Sequence, residues 1–183
     1  MSDEEWEVCK DYNYYKDYYT NNGVSGNKLV ITDYNKTCGT DVVIPYEIDG
    51  AAVTQIGSSA FKQKGLTSVE FPRSVTTIGT HSFSLNPTIE KIIFRDGLLS
   101  IGQVSFNANM TAPIETYGKL EFIMFPETLT TIGNNSFQHN SLKQVIIPDS
   151  VTSGIGGAFR GNWIKNVKIG KGLNWSLSSS AFI

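Results

Sequence analysis

The chain has 183 residues, 40% of them hydrophobic and 17% charged, with a formal net charge of −2. One domain with a continuous core is expected at that length. A near-neutral balance with no run of Lys and Arg argues against nucleic acid or an anionic membrane surface as a partner. No apolar stretch approaches the ~18 residues of a transmembrane helix, so no membrane insertion is expected.

The N-terminus, MSDEEWEV, lacks the hydrophobic region of a secretory signal. Two readings stand: a cytosolic protein, or a mature segment whose signal has been trimmed. Residues 1–40 do not fit the pattern that fills the rest of the chain and are read as an N-terminal cap. Within them DYNYYKDYYT, Asp11 to Thr20, holds five tyrosines. Tyr12, Tyr15 and Tyr19, at i, i+3 and i+7, predict a shared helix face, covering the first coil of the repetitive region or offering a tyrosine-rich binding surface. Asn21-Asn22-Gly23 and Gly26 read as turns, and Lys28 to Thr32 as a short strand. The two cysteines, Cys9 and Cys38, flank this segment. A pair closing a small terminal segment points to a disulfide and an oxidising compartment; two unpaired buried thiols are the alternative. With no CxxC and no nearby His, the cysteines predict no metal site.

From Asp41 to the end the sequence repeats itself. Aligned on a phenylalanine, the pattern recurs at Phe61, Phe83, Phe106, Phe137, Phe159 and Phe182, in steps of 22, 23, 31, 22 and 23 residues. A small residue precedes each Phe, and an aliphatic sits five residues before it: Ile56, Ile78, Ile101, Ile132 and Leu177. In the fifth copy that slot holds Gly154, with Ile155 one place late. Self-similarity at such a period is the signature of a solenoid, in which stacked neighbours bury what one repeat cannot.

Each copy opens with a strand in which alternate residues face the core. The inward pairs are Val42 and Ile44, Val69 and Phe71, Ile92 and Phe94, Ile123 and Phe125, Val145 and Ile147, Val167 and Ile169. Six such strands at ~4.8 Å spacing predict a single parallel sheet about 24 Å long. Pro45, Pro72, Pro126 and Pro148 end their strands, because proline cannot donate to a ladder. The return is expected to add core residues such as Leu129, Ile132 and Phe137. Three residues after each Phe stands Asn86, Asn109, Asn140 or Asn162, with Lys64 in the first copy. An Asn at a fixed place in a stack is expected to turn inward and satisfy backbone groups of two coils. The chain ends at Ala181-Phe182-Ile183, inside a copy, and a solenoid end needs a polar cap; a piece of a longer protein is the expectation.

With the copies laid out, IPxSVTxIGxxAFxxNxLxxVxIP emerges as a consensus. It stands here as Ile147-Pro148-Asp149-Ser150-Val151-Thr152, Ile132-Gly133-Asn134-Asn135-Ser136-Phe137 and Asn140-Ser141-Leu142-Lys143-Gln144-Val145. This resembles the BspA-like leucine-rich repeat family, the Treponema-type subclass of bacterial surfaces. The resemblance covers about 140 residues, residues 41–183 in about six coils. It implies a β-rich leucine-rich-repeat solenoid with a parallel sheet on the concave face, an extracellular or cell-surface location, a role in adhesion or ligand binding, and no catalytic residues. Gly154, the Asn where many members carry Cys, and the long third coil depart from the family pattern.

Chemistry is sparse. His81 and His139 occupy different places in their coils, with no Cys, Asp or Glu at ligand spacing, and no GxSxG elbow is present. Gly154 to Gly161 mimics a phosphate-binding loop but falls on a return, not between a strand and a helix. No enzyme activity, metal or cofactor is expected. The outward residues of the strands are more informative. One column reads Val43, Glu70, Ile93, Met124, Ile146, Lys168; the other Asp41, Ser68, Lys91, Phe122, Gln144, Asn166. Ile93, Phe122, Met124 and Ile146 predict one exposed apolar patch of the kind that marks binding sites. Roughly nine extra residues, 110–118, enter just before the Phe122 strand, where insertions often serve the binding face; Tyr117 is their candidate contact. The expected ligand-binding residues are therefore Ile93, Tyr117, Phe122, Met124 and Ile146, meeting a protein or glycan ligand or, in a homodimer, a second sheet face. The competing reading is a structural spacer that binds nothing.

Overall fold

A computed structural model describes residues 12–21, 24–109, 117–173 and 181–182. Its first elements are β1 (Tyr12–Asn21) and β2 (Val24–Tyr34), an antiparallel hairpin. The tyrosine-rich segment is a strand, not the helix its spacing predicts. Aromatic residues favour extended backbone, and a ten-residue ladder with β2 holds the segment extended where a helix of that length is marginal on its own. The expected strand Lys28 to Thr32 lies within β2. A single 3₁₀ turn, Lys36–Cys38, follows, with Asn35 Oδ1 accepting from the Thr37 N–H. Cys38 is half-buried; its expected bridge rests on Cys9, outside the described residues.

The coils then begin with β3 (Asp41–Val43), β4 (Glu47–Ile48) and β5 (Ala51–Ile56). The second coil carries β6 (Ser68–Glu70) and β7 (Thr77–Ile78), and the third β8 (Lys91–Ile93) and β9 (Ser100–Ile101). After them come β10 (Thr131–Ile132), β11 (Gln144–Ile147), β12 (Ser153–Gly154) and β13 (Asn166–Ile169). The fold is a parallel-strand solenoid of about six turns in which the described residues contain almost no helix.

Two faces of the solenoid carry strands, where the sequence predicts one. On the return side, β2, β5, β7, β9, β10 and β12 run in one parallel ladder that the hairpin extends through β1. Ile56, Ile78, Ile101, Ile132 and Gly154 are the register partners along it. The face expected to be continuous is divided into β3-β6-β8 and β11-β13. Between these, residues 121–125 do not pair as a strand with either neighbour. In sequence the break falls immediately after the insertion. Two backbone bonds, from Ser141 N–H to Leu120 O and from Lys143 N–H to Glu121 O, tie the entry of this segment to the next coil.

The core is a column of rings. Phe61, Phe83, Phe106, Phe137, Phe159 and Phe182 stack face to face with centroids 4.7, 5.0, 5.2, 5.8 and 5.5 Å apart. Tyr34 continues the column at 5.1 Å from Phe61, and Tyr12 lies beyond it at 5.6 Å. Strand spacing of ~4.8 Å is what places one ring per coil within stacking range. A second column, Phe71, Phe94 and Phe125, meets the first edge-on. The alternation expected for the strands holds for Val42, Ile44, Val69, Phe71, Ile92, Ile123, Val145 and Ile147, all buried. It fails at Val167, which is 44% exposed because β13 has a neighbour, β11, on one side only among the described residues.

Coil contacts are close enough to dictate residue type. A Cβ on Gly133 would lie 2.4 Å from the backbone carbon of Gly102, and Gly57, Gly79 and Gly102 are similarly tightly placed, so the residue after β5, β7, β9 and β10 has no room for a side chain. Gly154 has φ +93°, and a Cβ there would lie 1.9 Å from Ile132 O. The chain therefore places glycine in the aliphatic slot and buries Ile155 instead. The asparagine ladder is structural as expected at three of its rungs. Asn86 Oδ1 accepts from the N–H groups of Lys64, Gly65 and Leu66, while its Nδ2 donates to Phe61 O and Phe83 O. Asn140 and Asn162 donate in the same way to pairs of phenylalanine carbonyls. In the first coil Lys64 holds the slot, and its Nζ reaches Asp33 of β2 at 2.8 Å, tying hairpin to solenoid.

Candidate functional site

Side-chain parity on residues 120–125 sets the surface. Leu120 and Ile123 are buried, and the half-buried Phe125 stacks on Phe94 at 6.1 Å. Phe122 is 65% exposed and Met124 85%; Ile146, in β11, is 47% exposed. Ile93 is half-buried in β8, opposite Glu70 of β6. Of the polar residues in the same columns, Lys91, Gln144 and Lys168 are exposed, and Glu70 is paired with Arg95. Lys143 Nζ lies 5.9 Å from the Phe122 ring centroid and 2.6 Å from Glu121 Oε2. The ring thus carries a cation on its flank and stays open to solvent.

Tyr117 makes its ring contacts with other residues. It is half-buried, stacked on His139 at 5.9 Å and tilted 54° to Trp163, also at 5.9 Å. His139 Nδ1 bonds Asn109 O, so the imidazole is held from two sides. The sequence reading misses this cluster: His139 reads as an ordinary surface histidine, and Trp163 is not singled out. The available signal is that Trp163 follows the ladder residue Asn162, where Pro87, Met110 and Ser141 follow the other asparagines: a large ring found in one copy only. A shallow depression lined by Glu90, Gly118, Lys119, Glu121, Phe122 and Ser141 lies at the same side of the third coil. A smaller groove runs along Val43, Ile44, Glu70, Phe71 and Arg95.

Among the described residues no group of three or more His, Cys, Asp or Glu converges. Gly154 to Gly161 forms the end of β12 and the turn that carries Phe159, and no helix follows it among the described residues. Asp41 is held below the ordinary carboxylate value by hydrogen bonds from Thr67 and Ser68, an inter-coil staple on an exposed edge.

A stacked parallel solenoid with one core ring per coil and strands on two faces defines a repeat protein. The family model described as BspA type leucine rich repeat region matches in six copies over residues 34–153 and 111–183, and the chain belongs to that family. No curated protein matches it. It is similar to the solved leucine-rich repeat protein of T. pallidum, at 26% identity and a TM-score of 0.64 over 82% of this chain and 85% of that one. A leucine-rich repeat protein of Bacteroides ovatus is 23% identical with a TM-score of 0.65, and a leucine rich cell surface protein of Faecalibacterium prausnitzii is 24% identical with a TM-score of 0.59. These two matches span 90% and 89% of this chain but only 41% and 42% of those longer proteins, and they show the fold alone.

Proposed function

We propose that this chain is a recognition module of a secreted or cell-surface protein, meeting a protein or glycan partner through its strand face. The observation that carries the reading is the outward exposure of Phe122, Met124 and Ile146, 65%, 85% and 47%, on a solenoid whose inward positions are otherwise filled. Each large side chain removed from water contributes about 1.5 to 3 kcal/mol, and anchors ringed by polar groups are where interfaces concentrate their energy. Family membership supports a surface role, and one similar solved chain carries the description of a cell surface protein. The same face also fits self-association of two copies.

The test is capture. The purified chain is presented to host cells and extracellular matrix, and its mass in solution is followed by light scattering. Met124→Lys is expected to abolish capture, or to dissociate the dimer if the face is self-complementary, without unfolding the protein. A folded variant unchanged in both would leave the spacer reading in place.

A further inference from the structure

Beside the strand face, the third and fourth coils bring a second set of groups together. The depression lined by Glu90, Gly118, Lys119, Glu121, Phe122 and Ser141 crosses three coils. Its charges are matched within the protein: Lys119 Nζ is 2.8 Å from Glu90 Oε1, and Lys143 Nζ is 2.6 Å from Glu121 Oε2. One coil along from Ser141, at the same place in the repeat, stands Trp163, 55% exposed. Its ring is braced by Tyr117, itself stacked on His139. An exposed phenylalanine therefore lines a polar floor whose ionic groups are paired, and an exposed tryptophan stands one coil further along, its backbone N–H bonded to Leu142 O.

We infer that this depression and the Trp163 shelf bind a neutral oligosaccharide. An anionic ligand would be repelled by Glu90 and Glu121, and a cationic one by Lys119 and Lys143; either gains only by breaking an existing ion pair. A hydroxyl group accepts from an ammonium and donates to a carboxylate, so a sugar joins both pairs without disturbing their balance. Hydrogen bonds to charged groups are the stronger kind. The C–H face of a pyranose is flat and weakly positive, and the exposed faces of Trp163 and Phe122 complement it as they do cations and other polarised C–H groups. An apolar peptide side chain would instead need a deeper, mostly apolar pocket. The inference rests on reading the chain as a recognition module; it shares Phe122 with the strand face but does not use Met124 or Ile146.

The experiment is saturation-transfer NMR and calorimetry on the whole chain with maltotriose, cellotriose, triacetylchitotriose, mannotriose and xylotriose. Sialyllactose and chitosan trimer serve as the anionic and cationic comparisons. At least one neutral trisaccharide is expected to bind. Trp163→Ala is expected to weaken it about tenfold and Trp163→Phe, which keeps a ring, by no more than about threefold. Met124→Lys is expected to leave sugar binding unchanged, so loss of the strand-face reading and loss of this one register separately. The inference is overturned if no neutral trisaccharide binds the folded chain, if a charged one binds more tightly, or if a folded Trp163→Ala binds like wild type. Should Trp163→Ala fail to fold, Glu90→Gln on an exposed side chain decides: about tenfold weaker binding supports the site and unchanged binding overturns it.

Discussion

At the scale of single residues, two columns show how strictly the stack selects. Ser59, His81, Val104, Asn135 and Gly157 all stand two places before a repeat Phe, and all have φ between +56° and +61°. A left-handed backbone there costs an ordinary residue roughly 1–2 kcal/mol, with β-branched side chains the worst placed. Val104→Asn, copying the residue of the next coil, is therefore expected to stabilise by about 1 kcal/mol, read as a higher midpoint in urea. The ladder makes the opposite prediction. Asn86→Ala removes an amide that serves five backbone groups of two coils. Leaving buried donors and acceptors unmet is expected to cost at least about 2 kcal/mol. A urea midpoint equal to wild type would mean that water replaces the amide. The ladder is legible in sequence because the same letter recurs at one offset; the left-handed column is not, since five different residues occupy it.

At the scale of elements, the hairpin is where the sequence reading and the structure part. Tyr12, Tyr15 and Tyr19 fit a helix period, yet Tyr12 and Tyr14 equally fit a strand, and ten residues of short-range pattern hold both periods at once. Pairing with β2, and through it with β5, decides the matter. The return sheet is illegible for a different reason: strands of two residues, such as β7 and β9, carry no periodicity. The strand face is legible by alternation, though its break is not, because a ladder depends on backbone approach that side-chain letters do not record. One tether between hairpin and solenoid is testable by pH. The Lys64 ammonium hydrogen-bonds the Asp33 carboxylate and holds its pKa below the ordinary 3.8. Stability from the pair is thus fully present above 3.8 and lost as pH falls through the lower folded value. Lys64→Met is expected to cost up to about 1 kcal/mol at neutral pH, as for exposed pairs. The gap from wild type should close in acid; a gap that persists there would assign the loss to packing of the lysine stem.

At the scale of the whole molecule, regularity and departure from it divide the labour. The ring columns, the glycine contacts and the amide ladder repeat because each coil must seat on its neighbour, and they explain stability without reference to any partner. The exposed residues near the third coil do not repeat. Met124, Phe122 and Trp163 each stand once in their slots, opposite Glu70 or Lys168, Ser68 or Asn166, and Ser141 in other coils. The outward direction of Phe122, Met124 and Ile146 is legible because alternation assigns it; the partners of Tyr117 are not, because an insertion has no register to read. The most direct measurement sets two neighbours side by side, Met124→Lys and Ile123→Lys, with thermal melting and capture by host cells or matrix read on both. Ile123 is 8% exposed and Met124 85%. Ile123→Lys is predicted to lose several kcal/mol of stability, on the order of a buried unpaired charge. Met124→Lys is predicted to melt within about 0.5 kcal/mol of wild type and to lose capture or dimerisation. A folded Met124→Lys protein that keeps both wild-type capture and wild-type mass would contradict a recognition role for the strand face.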